Sequence, residues 1–325
     1  MFLNHWELIM TKPMLASDAN MQKIKYPCII QPKIDGVRGL YITDKLTGRS
    51  LKQHKNRYTN KFFDDEIFKG FDGELIVNRD PTHPDLCRNT SSVMSRYEGE
   101  PHITWCLFDY ITEDNINQTY ESRYLDLKCK ISDLEETHPE LMDHLQVVPS
   151  ILVNNQEELL AWEETWLIQG YEGLIIRDPA GLYKEGRSTA KEGGLLRIKR
   201  FKDAEAIVIS LNEGEENNNE KQTNELGNSF RTSHQENKAS NGMIGNMICE
   251  IYEDVIDDIS KEVIFEKGFV ITVSPGKMIH SDRIYYYENQ NLIVGEIIKF
   301  KFFAKGIKDK PRFANFQSFR SSEDL

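Results

Sequence analysis

No apolar run in this chain approaches the ~18 residues of a bilayer-spanning helix, so the sequence predicts no membrane span. The opening stretch, MFLNHWELIM, carries Glu7 and lacks a basic leader, which predicts no signal peptide. Cysteine is sparse and scattered: Cys28, Cys87, Cys106, Cys129 and Cys249 form no C-x-x-C pair, and no histidine stands at ligand spacing. That excludes a disulfide framework and a structural zinc site, and predicts a reduced, intracellular, cytoplasmic protein. Positive charge is in deficit, with 40 Lys and Arg against 52 Asp and Glu giving −12 at pH 7. Taken alone, that balance argues against a partner as anionic as nucleic acid. What is present is a chain of 325 residues, 39% hydrophobic, enough to bury a real core. At roughly 150 residues per domain its length predicts two domains.

Between residues 26 and 201, short apolar runs rich in β-branched and aromatic residues alternate with helical stretches, predicting a mixed α/β domain over 1–201. Strands are expected at 26–34, 39–43, 72–77, 103–110, 147–153, 173–177 and 195–201. The clearest helix is expected from Gln156 to about Gln169, where Asn155 can cap it, Glu158 can reach back, Leu159, Trp162 and Trp166 share a face, and Gly170 can end it. Another is expected over 120–136. Beyond Phe201, runs at 204–211, 246–255, 263–274 and 295–304 read as strands with little helix between them, predicting a small β-barrel over 202–325. The fold class is therefore α+β. Residues 212–241 are polar and almost free of large apolar side chains, and are expected to be a long loop or a disordered insertion.

The segment QPKIDGVRG sets Lys33, Asp35, Gly36 and Arg38 directly after a β-type run. A K-x-D-G string arises by chance in roughly one chain in ten of this length, and alone it reads as a strand ending in an Asp-Gly turn. The sharper reading makes Lys33 a nucleophile, because neighbouring cations or a bound metal help a lysine amine shed the proton it must lose to attack. Motifs farther along the chain lift the string above chance. FDGELIV places Glu74 in a strand, TWCLFDY places Phe108 in an apolar strand, and YEGLIIRDP places Glu172 at the head of another. YKEGRST supplies Arg187, and LLRIKRFKDAEA supplies Arg197 and Lys199 at i and i+2, on one side of a strand. Singly, each has a bland structural explanation; in this order they point to one site.

The series K-x-D-G, D-G-E, F-D, E-G and L-x-I-K resembles the motifs of the covalent nucleotidyltransferase superfamily, which holds ATP-dependent DNA ligases, RNA ligases and mRNA-capping enzymes. The segments LLRIKRFKDAEAIVIS and GIKDKPRFANFQSFR look like those of small ATP-dependent DNA ligases of the Chlorella-virus type. The resemblance implies a nucleotidyltransferase (adenylation) domain followed by an OB-fold domain, with ATP and Mg²⁺ as cofactors and Mn²⁺ as an alternative ion. It implies a catalytic set of Lys33, Asp35, Arg38 and Lys199, with Lys33 attacking the α-phosphate of ATP to give lysyl-AMP. It assigns Glu74 to the ribose, Phe108 to stacking on the adenine and Gln31 to the adenine amino edge; Arg38, Arg187, Arg197 and Lys199 hold phosphates. Arg312, Arg320 and Asp324 match a last motif that orients pyrophosphate, and Glu172 with Glu74 would serve a metal ion. Expected DNA contacts are Arg49 and Lys52, the polar run holding Thr90, Ser91 and Ser92, and Arg231 in the 212–241 insertion, which lies where the group carries a DNA-encircling hairpin. The implied partner is nicked duplex DNA, bound by a monomer, with no membrane and no protein partner implied.

Two departures from the family pattern stand out: Arg197 replaces a lysine, and Gly48-Arg49 replaces a Ser-Arg pair. An RNA ligase or a capping guanylyltransferase would share the first five motifs, and a catalytically inactive DNA-binding relative would keep the fold. The P-R-F…F-R ending and the K-I-D-G-V-R opening favour the DNA ligase reading, and the retained Lys33, Glu74, Glu172 and Lys199 weigh against an inactive relative. Only 32 residues precede Lys33, too few for a separate nicotinamide-binding domain, which argues against an NAD-dependent ligase. The charge also divides unevenly. Residues 45–61 hold six basic and no acidic side chains, 183–202 seven against two, and 299–312 six against one. An acidic exterior around a local basic track is therefore expected, and the net charge no longer speaks against DNA.

Overall fold

The computed structural model describes residues 12–224, 227, 229–257, 261–303 and 312–320. These fall into two compact units, one ending at Lys199 and the other beginning at Arg200. No helix among the described residues is long and apolar enough to cross a membrane.

In the first unit, β1 (Met14–Leu15), β2 (Ser17–Asp18), β3 (Cys28–Pro32), β4 (Val37–Leu40), α1 (Arg57–Phe62), β5 (Phe71–Val77), α2 (Leu86–Met94), β6 (Ile103–Tyr110) and α3 (Tyr120–Thr137) come first. After them stand β7 (Leu145–Val147), β8 (Ile151–Val153), α4 (Gln156–Ile168), β9 (Gly173–Arg177), β10 (Gly186–Arg187) and β11 (Leu195–Lys199). The longer strands build two sheets, in the orders β2-β11-β9-β3-β8 and β4-β5-β6-β7. The run expected as one strand at 147–153 is two: β7 pairs with β6 in one sheet and β8 with β3 in the other. Pro149, which has no N–H for a ladder, lies in the break where the chain steps between sheets.

The pleat of the first sheet sorts its side chains. Cys28 and Ile30 of β3, Leu174 and Ile176 of β9, and Leu196 and Ile198 of β11 join Leu159 and Trp166 of α4 in one core. The alternate positions, Gln31, Ile175, Arg177, Leu195 and Arg197, point the other way and line a cavity. α4 forms as its sequence implies. The Asn155 side chain accepts from Glu158 N at 2.9 Å, Glu158 reaches back to Asn154 N at 2.9 Å, and Gly170 comes next in a left-handed conformation (φ 99°). The second sheet packs its own core, in which Phe63, Phe68, Phe71 and Trp105 are fully buried.

The second unit holds β12 (Lys202–Asn217), β13 (Lys221–Thr223), β14 (Ser229–Arg231), β15 (Lys238–Ile251), β16 (Val255–Ile256), β17 (Val263–Phe265), β18 (Val270–Val273), α5 (His280–Glu288), β19 (Ile297–Phe303) and β20 (Arg312–Phe319). Five strands run in the order β18-β15-β12-β19-β20 around a core that includes Phe300, Phe302 and Phe316. One isolated parallel bridge, Ser274 with Asn315, links the ends of the edge strands, and among the described residues no ladder closes the sheet into a barrel. Helix α5 stands where little helix was expected.

The described residues of 212–241 form neither a loop nor a structureless insertion. β12 and β15 stay paired out to Asn217 and Lys238, and β13 pairs with β14 as a hairpin beyond them. Asparagine side chains stitch this tip: Asn219 Nδ2 donates to Thr232 O (3.0 Å) and His234 O (2.7 Å), and Asn217 Nδ2 donates to Thr232 O (2.7 Å). A solvated ribbon satisfies its backbone across the strands and needs no apolar face, so it carries no hydrophobic alternation to betray it.

Candidate active site

The register of the first sheet assembles the site. Gln31 of β3 lies opposite Ile175 of β9, which lies opposite Arg197 of β11; Ile29, Arg177 and Leu195 form the next row. Lys33 comes just after β3, and its N–H donates to Gly173 O (2.9 Å) while Glu172 N–H donates to Lys33 O (3.1 Å). The E-G pair has a steric reason. A Cβ on Gly173 would sit 2.2 Å from Ile198 O, and its φ of 151° already excludes most side chains. The glycine of K-x-D-G has another, since a Cβ on Gly36 would meet Leu75 O at 2.4 Å. Only glycine lets the backbones beside Lys33 and Glu172 approach this closely.

These elements enclose a cavity of about 360 Å³ lined by Gln31, Lys33, Arg38, Glu74, Phe108 and Arg187 among others. That lies within the ~300–1,000 Å³ range of small-molecule sites. Glu172 is buried, and both Lys33 and Lys199 pair with its carboxylate. Two ammonium groups share one carboxylate, so the trio keeps one positive charge for an incoming anion. Arg38 donates to both Asp72 oxygens (2.6 and 2.7 Å), and its guanidinium lies 4.7 Å from the centre of the Phe108 ring. Burial opposes its charge, but the Asp72 carboxylate prevails and holds Arg38 firmly protonated.

Cations crowd the same wall. Burial first, then the nearby Arg187, Arg197 and Arg38, push the pKa of Arg49 down. Four guanidiniums repelling one another around one cavity favour a polyanionic occupant. Arg197 is partly compensated by Asp18 (Nε to Oδ1, 2.7 Å), and Arg187 donates to Ala16 O at 2.6 Å. Glu74 is the odd carboxyl: burial drives it up to about 7, against the pull of Lys33 and Arg38.

The structure thus gathers Gln31, Lys33, Arg38, Glu74, Phe108, Arg187 and Arg197 around one cavity, with Glu172 paired to both Lys33 and Lys199. Asp35 stands two residues beyond Lys33, half-buried and outside the lining. Arg49, expected on a DNA surface, lines this cavity, whereas Lys52 is exposed in the turn beyond it. Thr90 requires a correction. The run holding these residues lies largely in α2, and Thr90 is fully buried with its Oγ1 accepting from Val77 N at 3.0 Å, so it cannot reach a DNA strand. Ser91 is exposed, while Ser92 is half-buried and its hydroxyl accepts from Arg96 at 3.2 Å. Arg231 bonds to Asn219 O within the hairpin. Arg312 and Arg320 belong to the second unit, where Arg320 pairs with Glu205 at 2.8 Å. Asp324 lies outside the described residues.

Ile175 and Arg177 were not anticipated. The i, i+2 spacing from Gly173 would have found them once the facing side of β9 was known. Arg177 is buried, pairs with Asp109 at 3.1 Å and lies 5.4 Å from the Phe108 ring centre. Among the described residues no three His, Cys, Asp or Glu side chains form a cation cage. The carboxylates of Glu74 and Glu172 do suit Mg²⁺, which characteristically takes one or two protein carboxylates and completes its shell with phosphate and water oxygens.

Comparison with known proteins places this arrangement. A family model described as the ATP-dependent DNA ligase domain matches residues 13–199, the segment that contains every cavity-lining residue. The DNA ligase of African swine fever virus is 24% identical over 153 residues, covering 47% of this chain and 34% of that protein, so the match spans about a third of the relative's length. The crystal structure of Chlorella virus DNA ligase-adenylate is 28% identical, with a TM-score of 0.51 over 96% of this chain and all of that one. A structure of the Lig E DNA ligases shares the fold at 21% identity, with a TM-score of 0.63 over 96% of this chain and all of that one. With the motif order, the two-unit fold and the family model in agreement, the chain belongs to the ATP-dependent DNA ligase family.

Proposed function

We propose that this protein seals 5′-phosphate/3′-hydroxyl nicks in duplex DNA at the expense of ATP, through a covalent lysyl-AMP. Lys33 Nζ, having lost a proton, attacks the α-phosphorus; a P–N bond forms, the P–O bond to the β-phosphate breaks, and pyrophosphate leaves. The nick 5′-phosphate then takes the adenylate, breaking the P–N bond, and the 3′-hydroxyl displaces AMP to form the phosphodiester. One observation carries this reading: Lys33 opens onto a cavity lined by Arg38, Arg49, Arg187 and Arg197, which suits a triphosphate.

Each neighbour contributes something specific. Phe108 offers its ring to the adenine, and Gln31, buried with an unpartnered Nε2, offers an amide to the base edge. Glu74 can meet a ribose hydroxyl in either protonation state, and the arginines neutralise phosphate charge. Glu74 and Glu172 would hold Mg²⁺, which when bound supplies further neutralisation at the phosphates. The second unit is proposed to be an OB-fold domain that grips DNA, with the β12–β15 ribbon and its β13–β14 tip reaching onto the duplex. A monomer is proposed, and the five free cysteines fit a reducing cytoplasm.

The test is incubation with Mg²⁺ and α-labelled ATP or GTP, followed by nicked DNA or nicked RNA. Label retained from ATP only, passing to nicked DNA and ending as a sealed strand with free AMP, is the expected course. Label from GTP only, or transfer to RNA alone, would overturn it in favour of a capping or RNA-joining enzyme.

A further inference from the structure

Gly48 departs from the family pattern, and the structure shows what its missing side chain leaves room for. A Cβ at Gly48 would stand 3.2 Å from His54 Cε1 and 3.7 Å from His54 Nε2. The imidazole therefore fills the space that a residue-48 side chain would enter. The ring lies against the backbones of Arg38 and Thr47, whose hydrogen bonding favours its proton; burial outweighs them and lowers His54 to about 4, leaving it neutral at ordinary pH. Its Nε2 is buried without a partner.

Around this ring the chain is tightly tied. Leu40 and Thr47 exchange backbone hydrogen bonds (2.9 and 2.8 Å), securing the end of β4 to the start of the turn. Gly48 N–H donates to Lys52 O (2.8 Å), and Leu51 N–H donates to Gly48 O (2.9 Å), with Leu51 in a left-handed conformation (φ 61°). His54 is itself held by Asn60 Nδ2, which donates to His54 O at 2.6 Å. Arg49 is the second residue of this turn and Arg38 lies in β4, and both line the cavity. His54 thus lies between the backbones that present two of the cavity's five arginines.

We propose that His54 is a positioning residue for nucleotide binding: its imidazole, seated against Gly48 and the backbones of Arg38 and Thr47, sets Arg49 in register with Arg38 around the phosphates. The inference rests on the reading of the cavity as a nucleotide-triphosphate site. Gly48 and His54 then act as a matched pair, glycine at one position because imidazole stands at the other. His54 touches no substrate and acts through Arg49.

A double-mutant cycle separates this role from a merely structural one. ATP affinity by calorimetry and the rate of covalent labelling are measured for wild type, His54→Ala, Arg49→Ala and the double variant. With Arg49 present, His54→Ala should weaken ATP binding about tenfold and change the saturated labelling rate little; with Arg49 already removed, it should change affinity less than about twofold. Equal losses in both backgrounds, or no loss with Arg49 present, would overturn the proposal. Gly48→Val, which presses on the ring without hollowing the core, is run through the same cycle and should reproduce the pattern, so a misfolded His54→Ala does not end the test. Wild type that binds ATP but never acquires label contradicts the ligase reading, while the affinity cycle still decides the role of His54.

Discussion

The cavity of the first unit and the polar cleft of the second are both rich in cations, but those cations have different company. In the first, Arg38 and Arg197 have carboxylate partners, while among the described residues Arg49 and Arg187 have none, and the four repel one another. In the second, a cleft of about 500 Å³ carries Lys202, Lys299 and Arg320, paired with Asp257 (3.3 Å), Asp203 (2.6 Å) and Glu205 (2.8 Å), with Glu253 and Asp254 on its walls. Clustered positive charge in sequence therefore becomes two different things. One cluster is left partly uncompensated and awaits an anion; the other is already neutralised, and any anion it meets must compete with its own carboxylates. The net charge of −12 conceals this because it sums over both.

The largest test of the contrast is Lys33→Ala, which should reduce covalent labelling by at least about a thousandfold, since Lys199, although it shares Glu172, stands on a different strand. Next comes charge removal. A charge-assisted hydrogen bond of about 1.5–3 kcal/mol implies that Arg187→Ala or Arg49→Ala weakens ATP binding roughly ten- to hundredfold. Lys299→Ala, which breaks an ion pair already satisfied by Asp203, should weaken it less than about threefold; calorimetry compares them, and equal effects would erase the distinction between the two regions. Deletion of residues 218–237 should weaken nick binding about tenfold in a gel-shift assay at low salt, with the difference narrowing as salt rises, while leaving lysyl-AMP formation intact. This deletion respects the pairing of β12 with β15 up to Asn217 and Lys238; equal loss of both activities would make the tip part of the fold.

The smallest effect concerns Glu74. Its pKa in the folded chain, about 7, is raised above the ordinary carboxylate value, so between those two values the folded state binds more protons than the unfolded one. The stabilisation is complete below the ordinary value and is lost as pH rises through about 7. In chelator and without nucleotide, the midpoint of thermal unfolding should fall by a few degrees between pH 5 and 8, and Glu74→Gln should flatten that slope.

Much of this was legible in sequence where one physical demand fixes the pattern. The strand at Ile103–Tyr110 is apolar because both faces are covered, that at Gly173–Arg177 sets one face in the core and the other in the cavity wall, and α4 declares itself through Asn155 and Gly170. Lys33, Glu74, Phe108, Arg187 and Arg197 could be grouped because their neighbouring glycines and strand positions keep a fixed order, although nothing local said that they meet. The ribbon at 212–241 was illegible because a solvated two-stranded arm has no buried face. Thr90 looked like a surface contact because a buried hydroxyl bonded to a backbone N–H has the same sequence signature as a free one. The role of Gly48 was invisible until His54, six residues away, was seen in the space beside it.

The most direct measurement is the intact mass of the protein after incubation with ATP and Mg²⁺, with peptide mapping of any adduct. The expected result is a mass increase of one adenylate, located on Lys33, released as AMP when nicked duplex DNA is added and absent from Lys33→Ala. An unmodified mass, or an adenylate on any other residue, would contradict the assignment of the cavity and its arginines to ATP-driven nick sealing.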